Sequence, residues 1–428
     1  MSGAERRVGL LAIIGPGLIT AATGVGAGDL ATGSLAGSRL GVAVLWALWV
    51  GAGLKLLLTE GIARWQLATG ESLLDGALRR LGRIVAWTFL PYLLLWSFFV
   101  GSALIGACGV AGHALLPLFD ARTDKIIWGA AHSLVGLVLV WCGGFKLFER
   151  LMSVAVALMF VTVVGAATSM IVAPPPAHAD ALGAAALLRG ALMPSIPQMA
   201  GGGIGWTVAL MGGVGGTVTV LAYGYWIREH GRTGPADLRT CRIDLTVGYG
   251  ATALFGMAMV VLGSTIHVEG SGATLVVRLA ERLQEPLGLV GRWAFLLGAW
   301  AGLFSSLLGV WQSVPYLFAD LRRAMRRKTD GDQRRVDTKG TAYRGYLIAL
   351  ALVPMLALGA DFSHIQKLYA ILGALFMPML AVTLLLLNSR RAWIGARLRN
   401  GPITIALLVA TVLLFAWFGW LQTAAQWL

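Results

Sequence analysis

Acid is scarce in this chain, cysteine scarcer still, and polar stretches of domain length are missing. Of the 428 residues 13% are charged, with 20 acids against 34 lysines and arginines, while 57% are hydrophobic and mean hydropathy is +0.76. So little polar material could hardly cover a water-soluble core of this size, and no separate soluble domain fits between the apolar runs. Cys108, Cys142 and Cys241 fall in or beside those runs without metal-ligand spacing or a secreted disulfide framework, so each is expected to serve packing. No His and Glu pair at metal spacing, no Gly-x-Ser-x-Gly elbow on a strand and no phosphate-binding loop is found, which argues against an enzyme. Period-two alternation is missing as well, which argues against a membrane barrel.

What is present is a succession of apolar runs. Crossing a hydrocarbon layer of ~30 Å takes about 20 helical residues. On that criterion about eleven spans begin near Val8, Val42, Ile84, Ile126, Leu151, Gly203, Leu245, Val290, Tyr346, His364 and Pro402. The first follows a short basic start without a small-residue cleavage site, so it reads as a retained helix. The expected fold class is an all-α integral membrane protein.

The net charge of +14 lies in short loops beside these runs, where topology and anionic headgroups account for it; nucleic acid is not an expected partner. Arginine and lysine concentrate in alternate loops: Arg6 and Arg7, then Arg79, Arg80 and Arg83, then Lys146 and Arg150, then Arg228 to Arg242, then Arg322 to Arg344, then Arg390 to Arg399. By the positive-inside rule these loops and the N-terminus are cytoplasmic, and with eleven spans the C-terminus is extracellular or periplasmic. The expected location is a bacterial-type plasma membrane, with the bilayer as surrounding partner and no obligate protein partner.

Two spans are interrupted by glycine. The first reads Gly15-Pro16-Gly17 through Gly24-Val25-Gly26-Ala27-Gly28-Asp29-Leu30, and the sixth reads Gly212-Gly213-Val214-Gly215-Gly216-Thr217-Val218-Thr219. Glycine-rich membrane helices often only pack closely. Breaks in corresponding helices of two five-helix halves, however, point to a transporter of inverted repeats with its cargo at the unwound points. Unwinding frees carbonyls at membrane depth, where an unsatisfied polar group costs several kcal/mol unless it lines a cavity or holds an ion. The expected organisation is one transporter domain over residues 1–428, with repeat one at 8–173, a proline-bearing linker at 174–200, repeat two at 201–389 and an additional helix at 402–425. Glu60 and Asp244 are further acids near span ends, read as solvated or snorkelling. Lone His132 and His267 are read as packing residues.

Five segments carry a further pattern: Gly15-Pro16-Gly17-Leu18, Arg64-Trp65-Gln66-Leu67-Ala68-Thr69-Gly70-Glu71-Ser72-Leu73, Leu188 to Pro197, Ser305-Ser306 and Met377-Pro378. In that order they resemble the opening of the first helix, the end of the second, the lead into helix six, helix eight and the Leu-Pro of helix ten in the Nramp family of divalent-metal transporters. The resemblance runs from about Gly15 to Ser389 and implies a LeuT-type fold, two inverted five-helix repeats with helices one and six broken, and a transported divalent cation as substrate with no cofactor.

The departures sharpen this. Where the family has Asp-Pro-Gly-Asn, this chain has Gly26-Ala27-Gly28-Asp29, and the family's helix-six methionine aligns with Thr219, its carbonyl-donating alanine with Gly216. Thioether ligands favour transition metals, whereas hydroxyl, carboxylate and carbonyl oxygen suits Mg²⁺ or Mn²⁺. The resemblance therefore implies an ion site of Asp29, Thr219 and the carbonyls near Gly26 and Gly216, with Thr217 beside them. Small Gly26 and Gly216 would leave room for a partly hydrated Mg²⁺. That pattern is similar to the family's divergent magnesium-transporting branch. Leu95, Phe98 and Trp226 align with the family's proton-pathway residues, which implies transport uncoupled from protons. The rival reading is a LeuT-type carrier of an amino acid or other small organic solute.

Overall fold

The computed structural model describes residues 25–143, 145–267, 272, 274–326 and 336–424. Span one before Val25, with its Gly15-Pro16-Gly17-Leu18 motif, lies outside them. Among the described residues every regular element is helical. A π-helical turn, Val25–Thr32, leads into α1 (Gly33–Leu40), followed by α2 (Leu45–Thr69), short α3 (Leu73–Leu81), α4 (Ile84–Leu115), α5 (Ala121–Cys142) and α6 (Phe145–Val172). After the proline run come α7 (Ala184–Leu192), α8 (Ile204–Gly213), α9 (Tyr223–Glu229) and α10 (Leu238–Gly263). The chain continues through α11 (Leu275–Arg326), α12 (Thr341–Leu352), α13 (Phe362–Asn388), four-residue α14 (Arg391–Ile394) and α15 (Pro402–Ala424).

Eight helical stretches among the described residues are long and apolar enough to cross a membrane, and 156–172 and 341–357 are shorter apolar helices. Two local expectations change. The segment 174–200 carries the helix α7. The charged stretch from Arg322 is partly helical, because α11 continues to Arg326. Within α11 the backbone bends at Gly288, where φ is 65°, so the span expected from Val290 begins just past the bend.

Burial sorts the helices into a centre and a rim. In the most apolar stretch of Ile204–Glu229, which contains α8, α9 and the break between them, 94% of residues are buried, against 22% for α5 and for α15. The glycine-interrupted span is therefore central. Around it, α8 packs on α13 and α2, α10 on α2 and α1, and α11 on α6 and α4. Trp87, Val290, Ile403 and Trp420 are exposed on the rim, where a bilayer would cover them.

Each end of the bundle is tied by polar contacts. At the arginine-rich end Asp320 accepts from Ser72 (2.8 Å), Tyr225 (2.6 Å) and Arg323 (2.7 Å). Glu60 is bound by Arg64 and Arg242, at 2.7 and 2.8 Å. Asp244 is fully buried and bound by Arg232 and Tyr223, both at 3.0 Å, so it is an interior ion pair instead of a solvated acid. At the opposite end the Trp46 and Trp49 indoles donate to the Ser195 and Ala191 carbonyls, and Arg39 and Lys367 flank the Trp206 ring. Trp300 donates to His132 Nε2 at 2.8 Å, the packing role expected of that ring, whereas His267 is exposed beyond the end of α10.

Candidate functional site: the break in the central span

The sequence Gly213-Val214-Gly215-Gly216-Thr217 ends one helix without starting the next. Gly215 and Gly216 have φ of 67° and 85°, in the left-handed region that costs an ordinary L-residue about 1–2 kcal/mol. The chain re-enters helical geometry through a 3₁₀ turn, Val218–Ala222. Leaving the helix there orphans the last carbonyls of α8 and turns them, with the negative end of its dipole, into the protein interior.

A cation meets those carbonyls. Lys55, in the middle of α2 and 3% exposed, donates from Nζ to the carbonyl oxygens of Gly212 (2.6 Å), Val214 and Gly216. Asp29 is on the other side of the same backbone. It is fully buried on the Val25–Thr32 turn, and its Oδ1 accepts from the Gly215 amide at 3.3 Å. Its Oδ2 is buried with no hydrogen-bond partner among the described residues. The unwound strand thus turns amide toward a carboxylate and carbonyls toward an ammonium.

Close backbone approach makes this possible. A Cβ on Gly28 would stand 2.0 Å from the Gly213 carbonyl oxygen, so the turn bearing Asp29 reaches the end of α8 because residue 28 has no side chain. Gly215 lies over the Tyr249 ring of α10, whose hydroxyl pairs with Thr59 on α2 at 2.7 Å. Gln366 of α13 donates to Thr32 at 3.0 Å and closes the far side of the turn.

Asp29 and Gly216 therefore share one site, through Gly215 and Lys55. Gly26 is turned toward α11: its amide donates to Ser306 Oγ at 3.2 Å, and a Cβ there would stand 2.6 Å from that oxygen. Thr217 is buried against Gly373 and hydrogen-bonded to Tyr369, both on α13. Thr219 is buried on the 3₁₀ turn. Leu95 faces the rim, exposed by 49%, so the interior of α4 at that level is lined by Leu93, Trp96 and Ser97 instead. The residue at this break that sequence reasoning passed over is Lys55. The signal was available, because Lys55 is the lone charge between Arg39 and Glu60, and an ionisable residue in mid-span is a site hypothesis by default.

A central helix interrupted at membrane depth, with charged groups converging on the interruption, defines a broken-helix membrane transporter of the LeuT-type class. Residues 17–422 match the family described as natural resistance-associated macrophage protein-like, Nramp, and the chain belongs to that family. It is 26% identical to the divalent metal cation transporter MntH of Chromohalobacter salexigens over 72% of this chain and 70% of the relative. The MntH of Burkholderia ambifaria is 22% identical over 98% and 91%. Among solved structures, a histidine-to-alanine variant of the Eremococcus coleocola manganese transporter is similar in fold, with a TM-score of 0.69 at 14% identity over 97% of this chain and 87% of that one. MhsT in complex with L-phenylalanine is also similar in fold, at 0.64 and 14% identity over 99% and 100%.

Proposed function

We propose that this chain carries a divalent cation, Mg²⁺ first and Mn²⁺ second, down its gradient across a bacterial-type plasma membrane. The observation that carries the reading is the convergence of three main-chain carbonyls on a positive charge at the break of the central span, beside a buried acid with an unpartnered oxygen. The relatives named as divalent metal cation transporters supply the charge class. The donor set supplies the preference within it. Asp29, Thr219 and backbone oxygens are hard ligands, and no thioether stands at residue 219 to favour softer metals. The two five-helix repeats, residues 8–173 and 201–389, would rock about this point, with the N-terminus cytoplasmic and the C-terminus on the opposite side.

Uncoupled transport is part of the proposal. The whole of α4, Ile84–Leu115, contains no Asp or Glu in any register, so the helix that would carry a proton relay has no carboxylate to do it. Proteoliposomes loaded with a pH-sensitive dye should take up Mg²⁺ and Mn²⁺ without matching acidification of the lumen. Proton movement stoichiometric with the metal would overturn the uncoupled reading. Uptake of an amino acid, with none of either metal, would replace the cation reading with that of an organic-solute carrier.

A further inference from the structure

We propose that the Lys55 ammonium is a resident tethered cation, holding the carbonyl cage of the broken span while no ion is carried, and that the transported cation enters by displacing it. The inference rests on the cation-transport reading for its second half; the first half stands on geometry alone.

An ammonium has three N–H donors and no acceptor, and here three carbonyl oxygens receive them. A neutral amine has one donor fewer and would leave one carbonyl unserved. Every recorded hydrogen bond of Nζ goes to main-chain oxygen, the ligand type that hard cations take, and none to a carboxylate. The acid that balances its charge, Asp29, is engaged instead through the Gly215 amide on the reverse side of the strand. The arrangement is that of a coordinated ion whose countercharge sits one shell away.

Two positive centres cannot share this cage. The Gly212, Val214 and Gly216 oxygens that would face a metal at the break are those that face Lys55, and like charges repel strongly in a buried site. With Lys55 in place the site holds one negative and one positive side chain, so the unloaded break can be buried without a net charge. The lysine stem is four carbons long and flexible, which lets the ammonium withdraw along α2 while the helix stays packed.

The test replaces Lys55 with Met and with Gln and follows melting of the purified full chain in choline buffer and with added Na⁺, K⁺, Mg²⁺ or Mn²⁺. Loss of the tethered charge should lower the melting temperature in choline, and an inorganic cation should restore it saturably. Apparent affinity for Mg²⁺ or Mn²⁺ should rise at least tenfold over the unmodified chain. Variants that melt with the same cation dependence as the parent would overturn the proposal. So would a failure of both variants to fold in every cation, because the cage would then accept no free ion in place of the ammonium. Uptake by the unmodified chain is measured in parallel. Uptake without any new cation dependence in the variants would sink the Lys55 inference alone, whereas cation-dependent variants with no metal uptake by the parent would sink the transport reading alone.

Discussion

Asp29 and Lys55 answer each other's burial. An acid placed in mid-membrane costs about 2.5–3.5 kcal/mol on insertion scales, and the Gly215 amide, with a fixed cation across the strand, offsets that cost. Asp29→Asn keeps the size and the acceptor for Gly215 while deleting the charge. The variant should purify monodisperse, and its affinity for Mg²⁺ should fall about 10- to 100-fold, the 1.5–3 kcal/mol typical of one charge-assisted bond. Titration calorimetry checks the affinity and size-exclusion chromatography the fold; unchanged uptake would make the acid structural. The same electrostatics set the scale for ion entry. A divalent ion 4 Å from an ammonium is repelled by about 8 kcal/mol at an effective dielectric of 20, so an entering ion and a seated Lys55 are alternatives.

The break between α8 and α9 is maintained by what abuts it as much as by its own glycines. Gly215 and Gly216 permit the turn, but Gly28 decides whether the Asp29 turn can lie against the end of α8. A methyl there meets a backbone oxygen that cannot rotate away, so one of the two segments must shift. Gly28→Ala should destabilise by about 1–3 kcal/mol, the usual range for overpacking, and should lower uptake because the carboxylate moves with the backbone. Gly53→Ala on α2 is the control: a Cβ at residue 53 meets nothing within 4 Å, and alanine favours a helix over glycine by up to about 1 kcal/mol. Chemical denaturation of the two variants in detergent gives the comparison. Equal stability would mean that the contact at residue 28 is slack.

Across the described residues, polar contacts tie the helices at both ends of the bundle, with the buried break between them. The Asp320 cluster joins the start of α3 to α9 and α11 at the arginine-rich end, and at the other Trp46 and Trp49 tie α2 to α7 and the residues after it, while Arg39 of α1 and Lys367 of α13 meet Trp206 of α8. By the positive-inside rule the arginine-rich end is expected to face the cytoplasm, and labelling tests it. Asp330→Cys should react with an impermeant maleimide in inside-out vesicles, and a cysteine appended to the C-terminus should react in right-side-out ones, with exposed Cys142 replaced in both. Labelling of residue 330 and the C-terminus from the same side would mean an even number of crossings between them.

The sequence by itself determined that the chain is helical and where the central span breaks. Hydropathy and glycine act through neighbours in the chain: an apolar run must satisfy its own backbone in lipid, and Gly215-Gly216 permits the helix to stop wherever it lies. It also brought forward Asp29, as an acid in a glycine-broken span, and the resemblance to the Nramp family added the carbonyl near Gly216. Tertiary structure alone decided what meets them. Lys55 reaches carbonyls 157 to 161 residues further along the chain, and Asp29 reaches an amide 186 residues away. Tertiary structure also turned Gly26 toward Ser306 and Leu95 toward the rim. Pairings of that span depend on how helices rotate and approach when packed, which no local pattern records; for that reason Lys55, a single charge in an apolar helix, meets the carbonyls of the break only in the folded chain.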